Sequence, residues 1–205
     1  MKITLTDAGK RFNRDWIFRH LHFEFVDGVS YAITGPNGSG KSTLLQIISG
    51  AMTPSEGSME CQVDEKLLSG DEVYKYISIT APYMELVEEM TALEFFRFHQ
   101  KFKPFQTSLD TEQIISIIGL DLAANKQIRY YSSGMKQRVK LAQAIFSDVP
   151  VVLLDEPCTN LDLEGIDLYQ HLIKSYVRDR MLIVSSNDLQ EYGFCEKRID
   201  MVRYK

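Results

Sequence analysis

Gly35-Pro36-Asn37-Gly38-Ser39-Gly40-Lys41-Ser42-Thr43 is the stretch from which the rest of the chain is read. It fits the pattern G-x-x-x-x-G-K-[ST], a loop whose backbone N–H groups curl around a polyphosphate. An apolar, β-branched run precedes it at residues 29–34, and Leu44, Ile47 and Ile48 follow at helical spacing. The expected order is strand, loop, helix. Three glycines keep side chains out of the curl, and the new helix turns its positive end toward the same anion. Lys41 is expected to reach the β and γ phosphates of a nucleotide, and the Ser42 hydroxyl to complete the coordination of Mg²⁺. A glycine-rich turn that binds nothing is the bland alternative, and the Lys-Ser pair in a strand–helix setting argues against it.

Composition narrows the setting. A chain of 205 residues suggests one large domain or one domain with an inserted lobe. No apolar run approaches the ~18 residues of a membrane span, so no direct membrane insertion is expected. Met1-Lys2-Ile3-Thr4-Leu5-Thr6-Asp7 lacks the apolar core of a signal peptide, which points to the cytoplasm. Cys61, Cys158 and Cys195 are odd in number, far apart and without a C-x-x-C pair, so free thiols are expected rather than a disulfide or zinc framework. A net charge of −5 creates no whole-chain field that would attract nucleic acid, which leaves only a local basic patch as a route to such a partner, and none is expected.

Upstream of the loop, Ile3 and Leu5, then Leu21, Phe23 and Phe25, alternate with polar residues and predict an antiparallel β element. Phe12 and Trp16 fall in the connection, where an aromatic side chain can either stack on a purine or cap a small sheet. Downstream, residues 59–63 and 74–80 read as strands, with a charged loop at 64–72. From Thr91 the texture becomes helical: Leu93, Phe95, Phe96, Phe98 and Phe102 precede Lys103-Pro104, and Ile114, Ile117, Ile118 and Leu122 mark a second helical stretch. This is a helical lobe at approximately 81–135, inserted in a nucleotide-binding core at approximately 1–80 and 136–205. Its phenylalanines form either its own core or a docking groove.

Residues 131–138 open another helix, capped by Ser132 or Ser133, with Val139, Leu141, Ala142, Ala144 and Ile145 as its apolar face. A second Ser/Gly helix start is either a second anion site or an ordinary cap. Val151-Val152-Leu153-Leu154-Asp155-Glu156-Pro157 reads as a buried parallel strand whose two acids emerge at its carboxyl end, where open α/β sheets bind ligands. Asp155 suits a hydrated Mg²⁺, and Glu156 suits a base for an attacking water. Asn160-Leu161-Asp162 forms a polar turn before a helix carrying Ile166, Tyr169, Leu172, Ile173 and Tyr176. Another buried strand at 181–185 ends in Ser186-Asn187-Asp188, and a short strand is expected at 199–202.

The order of phosphate loop, helical lobe, Ser132-Ser133-Gly134-Met135, Asp155-Glu156-Pro157 and Asn160-Leu161-Asp162 resembles the ATP-binding cassette (ABC) ATPases over essentially the whole chain. The chain looks like a small, single-cassette subunit, and the Ser-Ser-Gly-Met variant resembles that of the short export-type subunits. The implied fold class is α/β, a P-loop NTPase core with the N-terminal antiparallel β element and the inserted α-helical lobe. Residues 35–43 match Walker A, namely Gly35, Pro36, Asn37, Gly38, Ser39, Gly40, Lys41, Ser42 and Thr43. The resemblance implies that Ser132 and Gly134 contact the γ-phosphate of ATP held by a second cassette, and that Asp162 belongs to the D-loop at the dimer interface. Asp155 then acts as the Walker B aspartate, Glu156 as the catalytic glutamate and Phe12 as the adenine-stacking aromatic.

Two positions depart from the family pattern. The glutamine that senses magnesium falls at Pro82, with Glu85 nearby, and the switch histidine is replaced by Asn187. An amide at 187 can hydrogen-bond a γ-phosphate but cannot carry a positive charge, so slow hydrolysis is expected. The implied function is the ATP-hydrolysing subunit of an ABC transporter, with ATP and Mg²⁺ as cofactors. Its implied partners are a second cassette, identical or different, and a separate transmembrane permease that would hold it on the inner face of the membrane. The permease is expected to dock on the helical lobe and the loop 82–90, where Tyr83, Met84, Leu86 and Val87 offer exposed apolar contacts. A soluble ABC ATPase and a slow, ATP-dependent dimerisation switch are the alternatives.

Overall fold

Alternating apolar residues at the start of the chain become an antiparallel sheet in the computed structural model, which describes residues 1–106 and 109–205. Strands β1 (Lys2–Phe12) and β2 (Asp15–Val26) pair with Ile3 opposite Phe25 and Leu5 opposite Phe23. Ile3, Leu5, Leu21 and Phe25 turn inward and are buried. Phe12 and Trp16 lie within the strand ends that flank the tight turn, not in a loose connection.

The chain then enters β3 (Ser30–Thr34), the phosphate loop and α1 (Lys41–Ile48), whose Leu44, Leu45, Ile47 and Ile48 are buried. β4 (Glu56–Val63) returns to pair with β1, and β5 (Lys66–Leu67) extends that sheet to the order β2-β1-β4-β5. The strand expected at 74–80 is shorter: β6 spans Ile77–Thr80. Glu72 accepts hydrogen bonds from the Ser69 N–H and hydroxyl, and this cap winds Gly70–Lys75 into a 3-10 turn.

Four helices follow the same logic of cap and apolar stripe. α2 (Ala92–His99) starts at a reciprocal Thr91–Glu94 cap, and α3 (Thr111–Ile117) at an Asp110–Gln113 cap. α4 (Ser133–Phe146) is capped by Ser132 and buries all five apolar positions read from its spacing. Between strands β7 (Val151–Asp155) and β8 (Met181–Ser185) runs α5 (Leu163–Tyr176), capped by Asp162. Leu122 is not in α3: Gly119, at φ +68°, ends the helix, and Leu122 stands in a 3-10 turn, fully exposed. Short α6 (Leu189–Tyr192) and β9 (Lys197–Asp200) finish the chain; β9 stops before 202 because Asp200 accepts from the Val202 N–H and starts a 3-10 turn.

The second sheet has the order β6-β7-β8-β3-β9, with β7–β8, β8–β3 and β3–β9 parallel. The chain divides into two compact units, Met1–Ile79 with Val149–Glu156 and Asp179–Lys205, and Thr80–Asp148 with Pro157–Arg178. The second unit therefore takes in α4 and α5 besides residues 81–135, since both helices group with α2 and α3. In it Phe95, Phe96 and Phe105 are buried, whereas Phe98 and Phe102 pair edge to face at 5.0 Å on the surface. Of the four phenylalanines read from the sequence, Phe95 and Phe96 are thus core and Phe98 and Phe102 are surface. None of the three cysteines is disulfide-bridged, and burial pushes the Cys61 thiol up to about 11 and the Cys195 thiol up to about 12, so neither of these two is a ready nucleophile.

Candidate functional site

Within the first unit, β3 is buried along four of its five residues and delivers the chain to Gly35 at φ +138°. The loop closes with a turn, Ser39 N–H to Pro36 carbonyl at 3.0 Å, and enters α1 through Gly40 at φ +99°. A Cβ at Gly40 would lie 2.7 Å from Ile17 Cγ2 of β2, and one at Gly35 would lie 2.7 Å from Ser39 Oγ. Both glycines are therefore required by left-handed backbone and by crowding together. Lys41 is nearly buried and its Nζ donates to the Gly35 carbonyl at 2.8 Å.

A cavity of about 200 Å³ opens here, lined by Asn37, Gly38, Gly40, Lys41, Ser42, Thr43 and Glu156. Glu156 reaches it from the end of β7, where its N–H donates to the Ser185 carbonyl at 2.8 Å and its φ is +43°. A non-glycine residue in that region is strained, and such strain gathers at functional sites. Asp155, one residue earlier, is 2 % exposed, and its Oδ1 is buried without a hydrogen-bond partner. Ser185, its neighbour in register on β8, has a hydroxyl in the same condition. Two unsatisfied oxygen donors at the carboxyl ends of adjacent strands form an environment that a hydrated hard cation would satisfy.

Asn187 lies at the same sheet edge. Its Oδ1 accepts from the Gly35 N–H at 3.2 Å and its Nδ2 donates to Asn37 Oδ1 at 3.4 Å, so its amide is engaged with the loop itself. Phe12 is half-exposed at the hairpin tip under the Lys10 ammonium, 5.5 Å from its ring centre, and does not line the cavity. Trp16 beside it is stacked by Arg19 at 4.2 Å.

The second unit has its own site. Ser132 Oγ accepts from the Met135 N–H at 3.2 Å, and Gly134 packs so closely that a Cβ there would sit 3.1 Å from the Asn160 carbonyl. A cavity of about 680 Å³ opens over Ser132, Gly134, Arg138, Asn160 and Asp162. Asp162 uses Oδ1 to cap α5, accepting from the Gly165 N–H at 2.8 Å. Arg138, not singled out from the sequence, brings a guanidinium that is held 3.8 Å from Asp162 and 3.9 Å from Glu164. Its spacing, four residues after Gly134 on the cap-facing side of the helix, was the available signal.

The loop after β6 differs from its sequence reading at one residue. Leu86 is buried, while Tyr83 and Val87 are exposed and Met84 is half-buried. Pro82 accepts through its carbonyl from Lys140 Nζ at 3.1 Å. Burial lowers the Lys140 pKa, the Glu85 carboxylate opposes that shift, and Lys136 adds to it. Among the described residues no helix is long and apolar enough to cross a membrane.

A family model described as ABC transporter matches residues 18–159. The uncharacterized ABC transporter ATP-binding protein YybJ of Bacillus subtilis (strain 168) is 28% identical over 201 residues, covering 97% of this chain and 92% of that protein. The cytochrome c biogenesis ATP-binding export protein CcmA of Xylella fastidiosa (strain 9a5c) is 31% identical over 157 residues, covering 77% of this chain and 70% of that protein. A dimeric ATP-binding cassette solved in a post-hydrolysis state with ADP and Pi shares the fold at a TM-score of 0.82 and 24% identity, with 97% of this chain and 93% of that chain covered. Since the matched segment spans well over half of the sequence and runs from β2 through the phosphate loop to the turn beyond Glu156, the chain belongs to the ABC transporter family as one of its ATP-binding subunits.

Proposed function

We propose that this chain is the ATP-hydrolysing motor of a transporter in which two cassettes close on ATP and a separate membrane-spanning permease is driven by their closure and reopening. The observation that carries it is the cavity that places Glu156 against the phosphate loop. Lys41, now on the Gly35 carbonyl, is within a side-chain rotation of a bound polyphosphate, and the loop N–H groups and the α1 start supply the remaining positive potential. Glu156 accepts the proton of the attacking water as the water oxygen bonds to the γ-phosphorus and the bond from that phosphorus to the β–γ bridging oxygen breaks, with ADP and phosphate as products. Ser42 and Asp155 fit Mg²⁺, because a buried carboxylate oxygen without a partner is what a hydrated divalent ion satisfies. When bound, Mg²⁺ would neutralise the negative charge that develops during phosphoryl transfer.

Ser132 and Gly134 serve the nucleotide held by the second cassette, and Asp162 orders the start of α5 beside them. Phe12 is assigned to the base. Tyr83 and Val87 are the apolar contacts offered to the permease, on the inner face of the membrane. Turnover is slow, because Pro82 has no side-chain amide to offer and Asn187 cannot become cationic. The same two departures favour a second reading, an ATP-dependent dimerisation switch.

Steady-state ATPase assays on the wild type and Glu156→Gln decide between them. For a motor, slow activity in the wild type falls by about 10²–10⁴-fold in Glu156→Gln with ATP still bound. Equal activity in both refutes Glu156 as the base, and ATP binding with dimerisation but no turnover, even beside its permease, favours the switch.

A further inference from the structure

Asn187 is presented from a rigid position. On one side Ser186 N–H donates to the Ile33 carbonyl at 3.1 Å, extending the β8–β3 ladder; on the other, Asp188 N–H donates to Ser186 Oγ at 2.9 Å and the Asp188 carboxylate caps α6 at the Gln190 N–H. The amide between these anchors points at the phosphate loop. Its orientation follows from its partner: Gly35 N–H is a donor, so the oxygen must face it and Nδ2 must face Asn37. Gly35 is thereby gripped at both ends, by Asn187 Oδ1 on its N–H and by Lys41 Nζ on its carbonyl. It also holds φ +138°, a region glycine enters freely, so its path is fixed by these contacts rather than by sterics.

We propose that Asn187 is a positioning residue that clasps the phosphate loop, holding it in the shape that receives the α and β phosphates, rather than a reader of the γ-phosphate. The inference rests on the ATP-site reading above and reassigns the residue that the sequence placed among the catalytic ones. Its physical content is preorganisation: a loop tied to the sheet edge through Asn187 pays less ordering entropy when the nucleotide arrives. A γ-phosphate sensor acts on ATP alone. A clasp acts on the loop, so it acts equally on ADP.

The test is fluorescence titration of the full chain with N-methylanthraniloyl ADP and ATP in the presence of Mg²⁺, in a Glu156→Gln background so that ATP survives. Asn187→Ala, Asn37→Ala and the double variant are compared, with circular dichroism to verify folding. The clasp predicts that the dissociation constants for ADP and ATP rise together by about three- to tenfold in Asn187→Ala, the range expected for one or two exposed hydrogen bonds. Asn37→Ala shifts both nucleotides the same way by a smaller factor, and the double variant is no worse than Asn187→Ala because the two share one contact. An unchanged ADP affinity in Asn187→Ala overturns the clasp, whether or not ATP binding changes. Should Asn187→Ala not fold, an unchanged ADP affinity in Asn37→Ala overturns it instead. Failure of the parent chain to bind either nucleotide overturns the ATP-site reading itself.

Discussion

His99 gives the second unit a defined acid sensitivity. Its Nε2 lies 3.0 Å from Ser147 Oγ and its Nδ1 lies 3.2 Å from Gln143 Nε2. Ser147 has already given its hydroxyl hydrogen to the Gln143 carbonyl at 2.6 Å, so it accepts from the ring, and Gln143 donates to the other nitrogen. The imidazole is therefore neutral, protonated at Nε2, and a second proton would meet a donor. Burial, followed by the nearby Lys103 ammonium, lowers its pKa from 6.5 to about 4. The unfolded chain takes up this proton near pH 6.5 and the folded chain does not, so stability falls as pH drops from 6.5 toward 4 and is untouched above 6.5. That window of roughly 2.5 pH units, at about 1.36 kcal/mol each, sets an upper bound of about 3 kcal/mol. The ring is partly open to water, and discounting for screening leaves about 2 kcal/mol. Urea unfolding of the wild type and His99→Gln in parallel from pH 7.5 to 4.5 isolates it, since the other titrating groups are common to both. The expected result is that the wild type loses about 2 kcal/mol relative to the variant across that range. A difference that stays constant with pH, or grows in favour of the wild type on acidification, refutes the reasoning.

Three further outcomes follow from single contacts. Gly40→Ala, at φ +99° with a Cβ 2.7 Å from Ile17 Cγ2, is expected to cost about 1–3 kcal/mol in thermal unfolding and to abolish nucleotide binding in titration. Thr91→Ala removes the hydroxyl that accepts from the Glu94 N–H at the start of α2 and should cost about 1 kcal/mol in urea unfolding, with nucleotide affinity unchanged. Tyr83→Glu with Val87→Glu should abolish co-sedimentation with permease-containing membranes and leave ATP binding intact, whereas Leu86→Glu, at a buried position, should unfold the second unit as read by circular dichroism.

What the sequence determined on its own was everything set by local chemistry and period. The 35–43 loop, the buried run 151–155 and the apolar stripe of α4 each follow from nearest neighbours: glycine where φ is positive, an aliphatic run where a strand is covered on both faces, a serine cap before a 3.6-residue repeat. The order of those segments was enough to identify the family. Tertiary structure decided what depends on partners distant in sequence. No spacing rule connects Glu156 to a cavity built from residues 37–43; the parallel sheet does, by bringing the carboxyl ends of β3 and β7 to one edge. Likewise Leu86 looked like its exposed neighbours Tyr83 and Val87, and only packing buried it. Asn187 shows the difference most clearly. Its place after β8 is plain from the chain, but the partners of its amide, Gly35 and Asn37, lie about 150 residues away and only the fold brings them within reach.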